Sequence, residues 1–273
     1  MPKLSSRVLR RIVIAGVFLA VFTLTGLGLR RATTPVPTCT DSVMNGEEEG
    51  VDCGFSACGK YCELDLDPPQ VISTKLIKAG ENDYDFVAEI KNPHPQFGAS
   101  EIEYELTLFN GGENELGKEE GIFYILPGQT KYLVLTHITT EKNVQRIDFK
   151  IKSATWQKIE SLEGMNLIVK AQKYISLSGG TALDANVLND SDFDFEMVDI
   201  DVVMYDSRGD IIAVNRSDIR TFLARTERAF RVAWPFKIDG RADNIEVYLS
   251  TNLFINSNFI KAYGSEIHRF QQY

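Results

Sequence analysis

Four cysteines are the residues of this chain with the most recognisable chemistry. Cys39, Cys53, Cys58 and Cys62 lie close together, and the remaining positions contain no cysteine. Such a cluster forms either two disulfides or a zinc site. Zinc requires free thiolates, whereas an oxidising compartment converts thiols to disulfides. The export of this segment, argued below, favours two disulfides, for which three pairings are possible.

Oxygen-bearing side chains between the first two cysteines could hold calcium. They are Asp41, Asn45, Glu47, Glu49 and Asp52. Calcium prefers about six to eight oxygen ligands on a loop that turns at a glycine, here Gly46. The alternative is a solvated acidic loop beside a disulfide, since these side chains provide fewer ligands than a full site needs. A weak calcium site is therefore a hypothesis, and no other cofactor is expected.

The three histidines have settings that do not combine into a catalytic site. His94 lies between two prolines, His137 ends a predicted strand, and His268 lies near the end of the sequence. The chain contains no G-x-S-x-G, H-E-x-x-H or Walker sequence. Asp199 and Asp201 are two residues apart in a predicted strand, so they share one face, which we expect to be wet. We therefore predict a protein that is not an enzyme, with a hydrolase of unrecognised site as the remote alternative.

An apolar segment precedes the cysteines and is suited to crossing a membrane. Residues 12–29 carry no charge, and as a helix at about 1.5 Å per residue they nearly match a hydrocarbon core of about 30 Å. The basic residues of segment 1–11 favour the cytoplasmic side for that end. A cleaved signal peptide is the alternative, but the apolar run is followed by Arg30 and Arg31 and lacks a small-x-small cleavage site. The sequence predicts a single-pass signal anchor in the cell membrane, with the rest of the chain extracytoplasmic.

The charge beyond the apolar segment is strongly negative. All 38 acidic residues follow position 40, together with 23 of the 29 basic residues, so this part carries a net charge of −15. Such a surface repels nucleic acid, and no basic stripe interrupts it. We expect the membrane and a protein or glycan as partners, and no nucleic acid.

The cysteine segment resembles a motif of bacterial surface proteins, of the form C-x-D-G-x-x-N-x-x-E-x-G-x-D-C-G-G-x-C-x-x-C. Asp41, Asn45, Gly50 and Asp52 fit this motif, whereas Phe55 replaces its second glycine. The last two cysteines are one residue further apart than in the motif. The resemblance implies a place in the bacterial cell envelope and implies no activity.

The chain after the cysteines alternates apolar and polar residues, as half-buried strands do. One such series recurs about 97 residues later, which indicates an internal duplication. The two series are Ile102, Tyr104, Leu106, Leu108 and Val198, Ile200, Val202, Met204. About seven short strands per copy, separated by turn signals, are typical of an antiparallel β-sandwich. The sequence thus predicts a mainly β protein with two tandem sandwiches, each with its own core.

The predicted boundaries follow from these patterns. A juxtamembrane linker at 30–38, the cysteine-rich module at 39–62 and a linker at 63–70 precede sandwiches at 71–163 and 164–256, and a tail covers 257–273. Trp156 and Trp234 are expected to pack in the cores or between the sandwiches, because buried aromatic side chains dominate such contacts.

Short motifs in both copies resemble the FxLYD family and the related late-embryogenesis water-stress domains. They are the YDSRG hairpin at 205–209, the asparagine that ends an early strand in each copy (Asn92, Asn189), and Leu-Pro-Gly at 126–128. The second copy has Ala-Arg at 224–225 in place of Pro-Gly. The resemblance implies an immunoglobulin-like or fibronectin-like sandwich of exported proteins, with binding or structural roles.

These observations favour a membrane-anchored, extracytoplasmic, non-enzymatic protein that serves as a cell-surface or envelope spacer or interaction module. A rigid sandwich positions loops and edges that contact a partner. The alternative is a subunit of an envelope export or pilus-type assembly, in which the anchor helix packs against other helices.

Overall fold

The computed structural model describes residues 6–33, 38–60, 62, 66–112, 114–159 and 161–263. The chain forms two compact units, Met1–Asp65 and Leu66–Tyr273. The first unit contains a long helix, α1 (Ser6–Thr33), and the cysteine module with the short helix α2 (Phe55–Cys58). The described residues of the second unit form twelve strands and a short helix.

Helix α1 is long and apolar enough to cross a membrane. Its segment Arg10–Leu27 has a mean hydropathy of 1.7, and none of this segment is buried among the described residues. The hydroxyls of Thr23 and Thr25 donate to the carbonyls of Leu19 and Val21 at 2.9 and 2.7 Å, so these polar groups are satisfied within the helix. A helix that is apolar on all sides is typical of a membrane span or of a signal sequence.

The first copy folds into a sandwich of two antiparallel sheets. Its strands are β1 (Gln70–Lys78), β2 (Asp83–Lys91), β3 (Phe97–Phe109), β4 (Glu115–Ile125), β5 (Thr130–Thr139) and β6 (Arg146–Lys158). One sheet has the order β1-β2-β5 and the other β4-β3-β6. Leu106 and Phe86, from the two sheets, are fully buried between them.

The second copy repeats this arrangement. Its strands are β7 (Leu167–Leu177), β8 (Gly180–Asn189), β9 (Phe195–Tyr205), β10 (Ile211–Phe222), β11 (Glu227–Trp234) and β12 (Asn244–Ser250), followed by α3 (Ser257–Tyr263). The sheet orders β7-β8-β11 and β10-β9-β12 match those of the first copy position by position. The described residues thus contain six strands per copy and not about seven. This is the connectivity of an immunoglobulin-like or fibronectin-like sandwich without its last strand.

The two predicted strand series occupy the central strands β3 and β9. Their apolar side chains are buried in the cores of the two sandwiches. Trp234 is also buried there, and its indole N–H donates to the carbonyl of Val214 at 2.8 Å. Trp156 is partly buried against the first core. The prediction of a mainly β protein with two β-sandwiches is confirmed, whereas Tyr124, Leu126 and Ile159 of the first copy belong to the buried cluster of the second.

A buried asparagine holds the loop after the second strand in each copy. The Asn92 side-chain amide donates to the carbonyls of Phe97 and Leu126 at 2.7 and 2.8 Å, and its oxygen accepts from the N–H of His94 at 2.9 Å. Asn189 makes the equivalent bonds in the second copy. The shared asparagine therefore has a structural cause, since its side chain joins the main chain of the loop that follows the strand to two other segments.

The Ala-Arg step of the second copy preserves the turn made by Pro-Gly in the first. Gly128 has φ of 63°, and Arg225 adopts the same left-handed conformation with φ of 58°. That conformation is costly for a residue with a side chain. The Arg225 guanidinium contacts Asp190 and Asp192 at 2.5 and 2.8 Å, and these contacts help to hold the turn.

Replacing Asn92 with alanine should destabilise the first sandwich. Asn92→Ala removes three hydrogen bonds between a fully buried side chain and the main chain, and we expect the free energy of unfolding to fall by about 2 to 3 kcal/mol. Asn258→Ala, at an exposed position in α3, is the matched control and should change it by less than about 0.5 kcal/mol. Chemical denaturation of the detergent-solubilised chain measures both, and equal effects would contradict the role given to Asn92.

Candidate functional site

The cysteine module contains the two predicted disulfides. Cys39 pairs with Cys58, and Cys53 pairs with Cys62, which selects one of the three possible pairings. Gly50 lies against the second bridge, where a β-carbon would come within 2.8 Å of the Cys53 sulfur. Only glycine fits at this position without a shift of the bridge.

Three of the five proposed calcium ligands come together in the module, where they bind main-chain N–H groups. The Asp52 carboxylate accepts from the N–H groups of Asp41 and Ser42 at 2.9 and 2.8 Å. The Asp41 carboxylate accepts from the N–H of Val43 and from the Asn45 amide, each at 2.9 Å. Hydrogen bonds from the Thr38 hydroxyl and from Val43 lower the pKa of Asp41. These bonds shape the loop themselves, and calcium binding stays a prediction.

The other acidic residues of the module divide between surface and interior. Glu47 and Glu49 are exposed, whereas Glu48 is buried and accepts from the N–H of Asn45 at 3.0 Å. Glu48 also lies close to the sulfurs of Cys39 and Cys58. Because those sulfurs form a disulfide, they provide no thiolate for a metal ion.

The described histidines have separate structural contacts. The His94 ring meets the edge of Trp156 with centroids 4.9 Å apart, and its Nε2 lies 2.9 Å from the carbonyl of Asp67. The exposed ring of His137 lies 3.4 Å from the Asp83 carboxylate. His268 lies outside the described residues. These contacts do not bring His94 and His137 into one site.

The two sandwiches pack against each other through the β1-β2-β5 and β10-β9-β12 sheets. A separate apolar cluster fills this interface, made of Ile77, Val87, Tyr132 and Val134 from the first sandwich and Val203 and Val214 from the second. The central strands β2 and β9 therefore have apolar side chains buried on both faces. The two sandwiches form part of one compact unit.

A buried lysine lies at one side of this interface. Lys131 is only 7% exposed, and its ammonium donates to the Ser250 hydroxyl at 2.8 Å, across the two sandwiches. It lies 3.8 Å from the Asp199 carboxylate and 3.7 Å from the centre of the Tyr124 ring. The Tyr124 hydroxyl donates to Asp199 at 2.7 Å. Burial lowers the pKa of Lys131, and the neighbouring carboxylates oppose that shift.

Asp201 lies on the face predicted from the sequence, but the expectation that this face is wet is wrong there. The side chain is buried at 6% exposure, because the first sandwich covers this part of β9. Its cross-strand neighbours are Arg216 and Tyr248. Burial raises the pKa of Asp201 to about 6, against the opposing charges of Lys131 and Arg216.

A cleft of about 230 Å³ opens between the sandwiches beside these charged groups. Its lining includes Tyr104, Ile122, Lys131, Met197, Asn252 and Ile255. Two further hollows, of about 300 and 310 Å³, adjoin it and share Asn252 and Ile255. Ile122 and Ile255 are 62% and 63% exposed. Exposed apolar side chains around such hollows mark interaction sites, so this cleft is the candidate functional site.

Comparison with known proteins gives distant structural likenesses and no family for this chain. No family model matches the chain, and no curated protein matches its sequence. The chain is similar to a red sea bream transglutaminase at 10% identity, over 72% of this chain and 32% of that chain, with a TM-score of 0.24. It is also similar to the calcium binding domain CBD12 of CALX1.1 at 8% identity, over 66% and 79% of the two chains, with a TM-score of 0.20. Likenesses this distant carry no functional argument.

The raised pKa of Asp201 predicts a particular pH dependence. The folded-state pKa of about 6 exceeds the ordinary 3.8, so the stability contributed by this group is complete below about pH 4 and is lost as pH rises through 6. Asparagine does not titrate, so Asp201→Asn should remove that loss. Between pH 4 and pH 7.5, the free energy of unfolding should therefore fall by about 2 kcal/mol less in Asp201→Asn than in the unmodified chain. Denaturation at both pH values measures it, with exposed Asp239→Asn as control. An unchanged pH slope in Asp201→Asn would contradict the assignment.

Proposed function

We propose that this protein is a membrane-anchored, extracytoplasmic interaction module without enzymatic activity. Helix α1 supports the anchor, because its apolar residues are exposed in the part of the chain that the structure describes, as those of a membrane span would be without lipid. The two disulfides support export, since they persist in oxidising compartments. The basic residues before the apolar segment 12–29 favour a cytoplasmic N-terminus.

The cleft between the sandwiches is the observation that supports an interaction role most directly. Exposed apolar side chains from both sandwiches surround it, with Ile122 on β4 and Ile255 after β12. The buried interface holds the two sides of the cleft together, so a partner meets a surface that is already formed. The net charge of −15 beyond position 40 disfavours nucleic acid and leaves a protein or glycan as partner.

The resemblances to FxLYD-like domains and to the cysteine motif of bacterial surface proteins agree with this proposal. The cysteine motif implies a place in the bacterial cell envelope, and the FxLYD-like resemblance implies an exported sandwich with a binding or structural role. Weak calcium binding by the cysteine module is part of the same proposal. Its ligands would include Asp41, Asn45 and Asp52, which lie together there.

Site-specific photo-crosslinking in intact cells tests the role of the cleft. A photoreactive amino acid at Ile122 or Ile255 should give the same discrete adduct, because both side chains adjoin one cleft. The exposed Glu81, in the loop between β1 and β2, is the control and should give none. Equal adducts at all three positions, or none at any, would contradict the proposed site. Adducts with cytoplasmic proteins would contradict the orientation.

A further inference from the structure

Among the residues that the structure describes, neither sandwich contains the strand that would complete its connectivity. In an immunoglobulin-like sandwich, the seventh strand pairs with the outer edge of the sixth. The sixth strands here are β6 and β12, and the chain continues from β6 into β7 and from β12 into α3. Among the described residues, no strand pairs with the outer edge of either one.

The missing strand leaves core side chains incompletely covered. On β12, Ile245, Val247 and Leu249 face the second core but are only partly buried. Their cross-strand partners on β9, which are Met204, Val202 and Ile200, are fully buried. Adjacent residues of one sheet face thus differ in burial, because β9 has a neighbour on both sides and β12 on one.

A groove lies where the seventh strand would run in the second sandwich. It measures about 310 Å³ and separates β7 from β12, the outer strands of the two sheets. Val169, Ile245 and Val247 line it and also pack against the core. The Gln172 amide donates to the carbonyl of Ile245 at 3.5 Å, so this carbonyl faces the groove and accepts a donor from that side, a bond that an added strand would replace.

The two open edges differ in their protection against added strands. The exposed residues of β6 include Arg146, Lys150, Lys152 and Lys158. Charged side chains of this kind, lysine above all, block edge-to-edge pairing in natural sheets. The sequence of β12, NIEVYLS, contains no lysine, arginine or proline. Basic side chains therefore protect the edge of β6 against strand pairing, and the edge of β12 has no such side chains.

We propose that β12 accepts an extended strand from a partner protein, which pairs with its outer edge and places alternate apolar side chains in the groove beside β7. Strand addition to a sheet edge is an established mode of recognition, in which main-chain bonds give affinity and pockets select alternate side chains. The groove itself is lined by Lys170, Gln172 and apolar residues, whereas Glu246 is the charged residue of β12, so basic residues between the apolar ones of the added strand would suit Glu246. This surface uses other residues than the cleft and does not depend on its role.

A model peptide tests the proposal on the full chain in detergent micelles. The probe is a short synthetic peptide with valine at alternate positions, separated by threonine and lysine. The control has the same composition with the valines grouped at one end. We expect the alternating peptide to bind at least about tenfold more tightly. It should also slow hydrogen exchange of amides in β12 and leave those in β6 unchanged.

Two variants of β7 distinguish the groove from the rest of the sheet. Ala171 is exposed and lines the groove, so Ala171→Arg should fill it and weaken peptide binding by about tenfold or more. Ser176→Arg, at an exposed position of the same strand, should keep the affinity of the unmodified chain. Thermal melts followed by circular dichroism establish that both variants remain folded.

Several outcomes would overturn the proposal. Equal binding of the two peptides, or slowed exchange in β6 and not in β12, would show that β12 has no special affinity for a strand. Exchange in β12 that is slow in the free chain and speeds up after removal of residues 264–273 would assign the edge to the chain's own tail. Hydrogen exchange in β12 that speeds up when the protein is diluted would show that a second copy of the chain covers this edge.

Discussion

The packing of one sheet from each sandwich against the other is the constraint on which the rest of the structure depends. It buries the outward faces of β2 and β9, which would otherwise expose Val87 and Val203 to water. Apolar contacts alone allow two flat sheet faces to slide. Lys131 restricts them, because its buried ammonium finds the Ser250 hydroxyl and the Asp199 carboxylate in one arrangement. The cleft exists because that arrangement leaves a hollow beside the charged groups.

The sequence predicts the strands well where only one face is buried. Leu106 and Ile200 are spaced as core residues of half-buried strands, and both are fully buried. The duplication also predicts the matching sheet orders, because homologous side-chain patterns select the same pairing. Val203 and Val214 lie at strand positions that face away from the core of their own sandwich, and apolar residues at such positions indicate that this face is covered. Which sheets meet depends on contacts distant in sequence, which alternation alone does not encode.

Other features could not be predicted, for identifiable physical reasons. Asp201 was expected to be wet because carboxylates are rarely buried, and only the packing of the first sandwich covers it. The pairing of Cys39 with Cys58 depends on the path of a loop that spacing does not determine. The seventh strand was expected from the turn pattern, but the segments after β6 and β12 lead to β7 and α3. Residues whose side chains are capable of catalysis or metal binding, such as Asp52 and His94, instead hold loops in place.

The central claim is that the interface fixes the sandwiches relative to each other, and a distance distribution between them tests it most directly. Spin labels carried by unnatural amino acids at the exposed positions Glu103 on β3 and Lys173 on β7 leave the disulfides intact. Pulsed electron paramagnetic resonance on the full chain should give one narrow distance distribution. A broad distribution, or two separate distances, would show that the sandwiches move as independent bodies and would contradict the account.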